Sequence, residues 1–96
     1  MTKADIVNEI AEKTGIDRIS VMTSVESLMK IIKNHMSLGE NVYLRGFGTF
    51  IVKKRAKKLG RNILKNTTIL IPAHYTPVFK PAKPFAEKVK KSVQVK

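Results

Sequence analysis

Lys53 to Ala73 reads KKRAKKLGRNILKNTTILIPA, and its first six residues contain five cations. Arg61 and Lys65 add two more positive charges, and no Asp or Glu lies in this stretch. Its later part, residues 67–71, is β-branched apart from Leu70, which favours an extended strand. The stretch therefore combines strand-forming sequence with a concentrated positive charge.

A turn at Lys65-Asn66 would divide this stretch into two strands, because Asn tolerates the left-handed backbone of a tight hairpin. The sequence therefore predicts a basic β-hairpin arm over residues 53–73, with the apolar residues Ile63 and Leu64 near its tip. Such a hairpin has no core of its own. We expect its partner to be a large polyanion.

The net charge of +12 is distributed unevenly along the 96 residues. Residues 1–40 hold five Lys or Arg and six Asp or Glu, whereas residues 41–86 hold ten Lys or Arg and no acid. A solvated surface usually mixes both signs, so this pattern indicates a highly anionic partner. Nucleic acid is favoured over an anionic membrane or an acidic protein, because membrane surfaces usually bind basic amphipathic helices and these cations lie mostly on strand-like sequence.

The composition argues against several classes of function. The chain has no cysteine and two histidines far apart in sequence, and its acids lie away from the basic region. No pair has the spacing of a metal site or an acid–base dyad, so we expect no enzyme activity, cofactor, metal or small-molecule substrate. No apolar run reaches the ~18 residues of a membrane span, and no signal-peptide pattern is present, so we expect a cytoplasmic protein.

The first forty residues predict two amphipathic helices. Thr2 and Asp5 are placed as a capping box for the first helix, and Gly15 is placed to end it. Asp17 is placed to cap the second helix, which ends at Gly39. An apolar stripe on this second helix contains Val21, Val25, Leu28, Ile32 and Met36. A small monomer could not bury so much apolar surface, so we expect a dimer seam.

The sequence RGFGTF at 45–50 places two glycines around an aromatic residue after the strand-like residues 41–44. This pattern predicts a tight turn between antiparallel strands; a phosphate-binding loop would need a third glycine and a following helix. We expect Phe47 and Phe50 in the core. Because their positions have opposite parity, the turn or a bulge must reorient one of them.

The C-terminal part predicts an extended segment and a short helix. Pro77 restricts residues 74–80 to a sheet edge, with Phe79 packing inward. Pro84 suits the first turn of a helix. These elements form a single domain, residues 1–96, with a helical dimerisation part at 1–39, a sheet at 41–80 that includes the arm at 53–73, and a C-terminal helix at 82–93.

Several short motifs follow one another in a characteristic order. They are GFGTF at 46–50, Arg55-Ala56, Gly60-Arg61-Asn62, Ile71-Pro72-Ala73 and Phe79-Lys80. As a set, over essentially the whole chain, they resemble the HU and integration host factor family of bacterial DNA-bending proteins. The resemblance implies an α+β fold with two N-terminal helices, a three-stranded antiparallel sheet with a long protruding β-hairpin arm, and a short C-terminal helix. It also implies an intertwined dimer.

The resemblance further implies an architectural protein of the bacterial nucleoid that bends and compacts double-stranded DNA. This family is itself a standard example of minor-groove bending. Arg61 and Asn62 match the arm residues that enter the minor groove, and Lys3, Lys80 and Lys83 match body positions that meet flanking phosphates. The complete set expected to bind DNA is Lys3, Arg45, Gly46, Lys53, Arg55, Lys57, Lys58, Arg61, Asn62, Ile63, Lys65, Lys80 and Lys83.

The arm tip departs from the family pattern. The family continues Gly-Arg-Asn-Pro, with a proline that slips between base steps, whereas this chain has Ile63 followed by Leu64. Both side-chain types can enter a base step, so Ile63 is the candidate wedge and Leu64 the second choice. The alternative is that they pair across the hairpin with Ile69 and Leu70. The usual glycine of the tip turn is also absent, with Asn66 in its position.

Several alternatives remain open at the level of sequence. The protein could bind DNA with little specificity or prefer particular sites as integration host factor does. A basic hairpin also suits ribosomal RNA or an acidic protein. The expected dimer is a homodimer, and a heterodimer is equally compatible with the sequence of one chain.

Overall fold

The computed structural model describes residues 1–62 and 64–95. The elements within them are α1 (Lys3–Thr14), α2 (Arg18–Ser37), β1 (Val42–Leu44), β2 (Gly48–Arg55), β3 (Lys58–Asn62), β4 (Thr67–Ile71), β5 (His74–Pro81) and α3 (Lys83–Ser92). The predicted α+β architecture is confirmed. None of the helices in these described ranges is both long enough and apolar enough to cross a bilayer.

Both N-terminal helices begin at the predicted caps. The Thr2 hydroxyl accepts a hydrogen bond from the Asp5 N–H at 3.3 Å, and the Thr2 N–H donates to the Asp5 carboxylate at 2.9 Å. Gly15 ends α1 in the left-handed conformation, with φ of 75°. At α2, the Asp17 carboxylate accepts hydrogen bonds from the N–H and the hydroxyl of Ser20, at 2.9 and 2.8 Å. These bonds satisfy N–H groups that have no partner within the helix.

The cap at Asp17 makes part of the stability depend on pH. The backbone N–H and then the hydroxyl of Ser20 hold the pKa of Asp17 below its ordinary value. Because the folded-state pKa is lower, the carboxylate stabilises the fold above its unfolded-state pKa of about 3.9, and this contribution is lost as the pH falls through the folded-state value. Asn keeps a capping oxygen but lacks the negative charge, so we expect Asp17→Asn to lower Tm slightly at neutral pH and to match the wild type in strong acid.

Thermal unfolding of both proteins from neutral pH down to about pH 2 measures this difference. The Asp5 carboxylate, whose pKa is lowered by its bonds with Thr2, is present in both proteins, so its effect cancels in the comparison. A difference in Tm that stays constant across the pH range would contradict the role assigned to Asp17.

The three-stranded sheet is antiparallel, in the order β1-β2-β5. Phe50 pairs with Val42 on one side and with Phe79 on the other. Pro77 lies in β5 and pairs with Val52 of β2. As predicted, β5 is at the edge of the sheet. A proline is tolerated there because no further strand needs its missing N–H.

An aromatic cluster joins the sheet to α3. The Phe79 ring lies 4.8 Å from Phe50, 5.2 Å from Phe47 and 6.2 Å from Phe85, measured between centroids.

The predicted turn is confirmed at 45–47, where the Phe47 N–H donates to the Leu44 carbonyl at 2.9 Å. The turn brings Phe47 against the same cluster as Phe50, despite their opposite parity. Phe47 nevertheless remains 47% exposed, because the turn holds it at the rim.

Gly48 is required by close packing against this cluster. A Cβ atom at this position would lie 2.6 Å from the Phe79 ring and 2.7 Å from the Lys80 carbonyl oxygen. Both distances are too short for any larger residue without movement of the backbone. The Gly-x-Gly pattern is therefore explained by the turn and by ring packing, without a bound phosphate.

Very little of the apolar surface is buried within one protomer. Among the described residues, the buried hydrophobic side chains are Val7 and Val21. On the predicted stripe of α2, Val25, Ile32 and Met36 are half-buried, whereas Leu28 is 49% exposed. Ile31, adjacent to this stripe, is 56% exposed. A domain this small cannot be stable with so small a core, so the exposed face of α2 requires a covering surface.

Candidate nucleic-acid interface

The basic arm is a separate two-stranded ribbon formed by β3 and β4. Its register pairs Lys58 with Ile71 and Asn62 with Thr67. A turn at 64–66 follows, where Asn66 has a φ of +52°, so the turn role predicted for Asn66 is confirmed. The strands of the ribbon make their principal contacts with each other rather than with the helices.

The shape of the chain reflects this arm. The radius of gyration is 18.6 Å and the longest dimension is 56 Å. A compact chain of this length would have a radius of gyration of about 12–13 Å. The arm therefore projects from the body and presents its cations to solvent.

The ribbon is shorter than the stretch 53–73. β2 continues to pair with β5 as far as Arg55, which lies opposite His74, so Lys53 and Arg55 belong to the three-stranded sheet. The strands break at 56–57 and 72–73, and Lys57 lies in the first break. The predicted cations are thus divided between the root of the arm and the arm itself.

Three of the predicted cations share one face of the sheet. Lys80 pairs with Thr49 of β2. On the same strand, Lys53 lies four residues after Thr49, and Arg55 lies six residues after it. Because alternate strand residues point to the same side, these three side chains project from one face. Phe50 and Phe79 occupy the opposite face. The sheet therefore separates a cationic surface from the aromatic core.

Arg45, Gly46 and Lys80 line one shallow cleft beside the turn at 45–47. Tyr43 also lines this cleft and is 72% exposed, a residue that the sequence analysis did not select. The signal was present in the alternation of β1, which turns Tyr43 away from the core. Lys83 begins α3 at the same end of β5.

Lys3 lies on α1, apart from the sheet, and is paired with an acid. Its Nζ is 3.1 Å from Glu26 Oε1, and both side chains are about half exposed. Exposed ion pairs of this kind contribute about 0–1 kcal/mol. A phosphate approaching Lys3 would compete with Glu26 at little energetic cost.

The arm carries an apolar pair that differs from the one considered in the sequence analysis. Leu59 lies opposite Leu70, and Gly60 lies opposite Ile69. Leu64 is in the turn and is 97% exposed, so it does not take the position opposite Ile69 or Leu70 that the alternative required. The reason is that Leu64 lies within the turn at 64–66 and in neither strand. Ile63, the candidate wedge, lies outside the described residues.

The arm tip also contains a contact that the sequence analysis missed. Arg61 Nη2 donates a hydrogen bond to the side-chain oxygen of Asn66. Of the other predicted cations of the arm, Lys58 begins β3 opposite Ile71, and Lys65 lies in the turn. The tip therefore brings an arginine and a neutral amide together.

Metal chemistry finds no support in the described ranges. They contain no group of three or more His, Cys, Asp or Glu side chains that could hold a metal ion. His35 Nδ1 lies 2.7 Å from Glu40 Oε2 in an exposed pair at the end of α2. The contact of His35 with Glu40 accounts for the position of both exposed side chains.

Residues 1–90 match the family model described as bacterial DNA-binding protein. The chain belongs to this family. It is 40% identical to the DNA-binding protein HU of Thermus thermophilus over 91 residues, which cover 95% of this chain and 94% of that protein. The family resemblance seen in the motifs is therefore confirmed.

Solved structures of this bacterial DNA-binding protein family share the fold. A cocrystal structure of Anabaena HU with DNA has a TM-score of 0.88 and 34% identity, covering 93% of this chain and 97% of that chain. HU from Thermotoga maritima has a TM-score of 0.65 and 25% identity, covering 93% and 98%. The relatives match the body and the arm together, because coverage is nearly complete in both directions.

Proposed function

We propose that this chain is an architectural double-stranded DNA-binding protein, which bends and compacts DNA with low sequence specificity and acts as a homodimer. The observation that carries the proposal is the projecting, acid-free arm, rooted beside a cationic face of the sheet. The similarity to a protein crystallised with DNA supports it. As a nucleoid component, the protein would act in the bacterial cytoplasm.

Phosphate attraction supplies most of the affinity in this proposal. Each cation that neutralises a phosphate releases counterions and adds about 0.9 to the slope of log affinity against log salt. Lys53, Arg55 and Lys80 share one face and can contact a single stretch of DNA backbone together. Bending then brings Lys3 and Lys83 within reach of flanking phosphates, and Glu26 releases Lys3 when a phosphate arrives.

In this proposal, the arms bind in the minor groove. The Arg61 guanidinium donates hydrogen bonds to the A and T acceptors there, as does the Asn62 amide in this proposal. These acceptors do not distinguish A·T from T·A, so selection favours A·T-rich or easily bent sites. Ile63 is the proposed wedge between base steps, with the exposed Leu64 as second choice.

The homodimer follows from the small core. The exposed part of the α2 stripe, including Leu28 and the adjacent Ile31, would be covered by the same face of a second copy. A closed two-fold pair would present two arms to one duplex. Sedimentation equilibrium of the pure chain tests this step, and a folded monomer at all concentrations would contradict it.

The decisive experiment measures binding by the pure chain to linear, nicked and pre-bent DNA duplexes over a salt series, with end-to-end fluorescence energy transfer as the readout of bending. We expect tighter binding to nicked and pre-bent duplexes, a steep salt slope and closer DNA ends. Duplex RNA of matched sequence is the comparison. Equal or tighter binding to RNA would contradict the DNA proposal, and one strongly preferred sequence would indicate site-specific action.

A further inference from the structure

The contact between Arg61 and Asn66 is a candidate determinant of how the arm engages DNA, and the inference from it rests on the function proposed above. The two residues face each other across the arm tip, five positions apart, and the arginine donates to the amide oxygen. Asn66 is also the non-glycine residue with positive φ in the described part of the chain. One residue therefore shapes the turn and contacts the arginine.

The backbone conformation alone does not explain an asparagine here. At a φ of +52°, a glycine would adopt the same turn with less steric cost. A glycine, however, has no side chain to accept a hydrogen bond. The asparagine combines tolerance of the left-handed region with an acceptor directed at Arg61.

The amide is also a neutral acceptor, which preserves the charge of the arginine. Residues 41–86 contain no acid, so the sequence of the arm offers no carboxylate that would neutralise Arg61. A guanidinium has five N–H donors, and a bond through Nη2 to one acceptor leaves others for a ligand. The contact therefore restrains the side chain without removing its charge or most of its donors.

We propose that Asn66 is a positioning residue that pre-orients the Arg61 guanidinium for the DNA minor groove. A long arginine side chain on an exposed strand samples many rotamers, and binding must select one of them. Holding the guanidinium beforehand reduces this entropic cost. The gain appears as tighter binding, without a change in the number of phosphates contacted.

A double-mutant cycle tests the proposal with Asn66→Gly, Arg61→Ala and the double variant. We expect Asn66→Gly to weaken binding to a minor-groove-accessible A·T-rich duplex by roughly two- to tenfold per arm. In the Arg61→Ala background, the same change should have no further effect, because the side chain that it positions is gone. The salt slope of Asn66→Gly should equal that of the wild type.

Asn66→Asp is the matched control, since aspartate also tolerates this backbone and accepts a hydrogen bond. Its negative charge should neutralise Arg61 and lower the salt slope by about 0.9 per arm. Side-chain NMR of Arg61 provides a readout without DNA. Its guanidinium signals should be ordered in the wild type and averaged in Asn66→Gly, while the turn and the melting temperature are retained.

The outcomes separate this inference from the proposed function. If the wild type neither binds nor bends DNA, the proposed function fails. If the wild type binds but the losses from Asn66→Gly and Arg61→Ala are additive, the positioning role alone is overturned. Tighter binding by Asn66→Gly would also overturn it, since the contact would then hold the arginine away from DNA.

Discussion

Replacing Lys57, Lys58 and Arg61 by glutamine should lower the salt slope of DNA binding by about three per protomer and weaken binding at low salt by at least roughly a hundredfold. These cations lie on the projecting part of the chain, where no acid offsets them. Each is exposed, so the substitutions remove charge without removing packing. Fluorescence anisotropy across a salt series measures both quantities.

The matched control removes the same amount of charge from the helices. Lys13, Lys30 and Lys33 are also exposed, and they lie in the first forty residues, where acids outnumber cations by one. Glutamine at these three positions should change the slope by less than one phosphate per protomer. Equal losses for the two triple variants would mean that total charge drives binding and that the arm has no special role.

Replacing Phe79 by alanine should destabilise the protein by about 3 kcal/mol, at the lower end of values for such truncations because the ring is only partly buried. The ring is the common partner of Phe47, Phe50 and Phe85, so its loss leaves a cavity where α3 and the turn meet the sheet. For a domain of this size, Tm should fall by more than about 10 °C.

Tyr43→Ala is the control for this truncation. Tyr43 is also an aromatic residue of the sheet, but it is 72% exposed and lies on the face away from the rings. Its loss should change the free energy of unfolding by no more than about 0.5 kcal/mol. Urea unfolding at a fixed protein concentration compares the variants. Similar small effects for both would show that the aromatic cluster does not hold the fold together.

The parts of the fold that could be predicted were those with local causes. Caps at Thr2 and Asp17, the helix end at Gly15 and the turn residue Asn66 each depend on a few neighbouring atoms. The strand at 67–71 follows from β-branched side chains. Such signals are readable because their partners lie within a few positions.

The parts that could not be predicted depend on register or on distant partners. Four residues, 63–66, separate the paired Asn62 and Thr67, and this count places Leu59 opposite Leu70. Nothing in the composition of the arm fixes that count. Likewise, the ion pair of Lys3 and Glu26 joins residues 23 positions apart on two helices. Only the packing of the helices brings them together.

The shortage of buried side chains in one protomer has a consequence for how much unpaired protein a cell can contain. In the described ranges, Val7 and Val21 are the buried hydrophobic residues, so the proposed partner would supply most of the missing core. Folding and pairing then become one concentration-dependent reaction. We therefore expect newly made chains without a partner to be exposed to proteases, so that the cell keeps mainly the paired form.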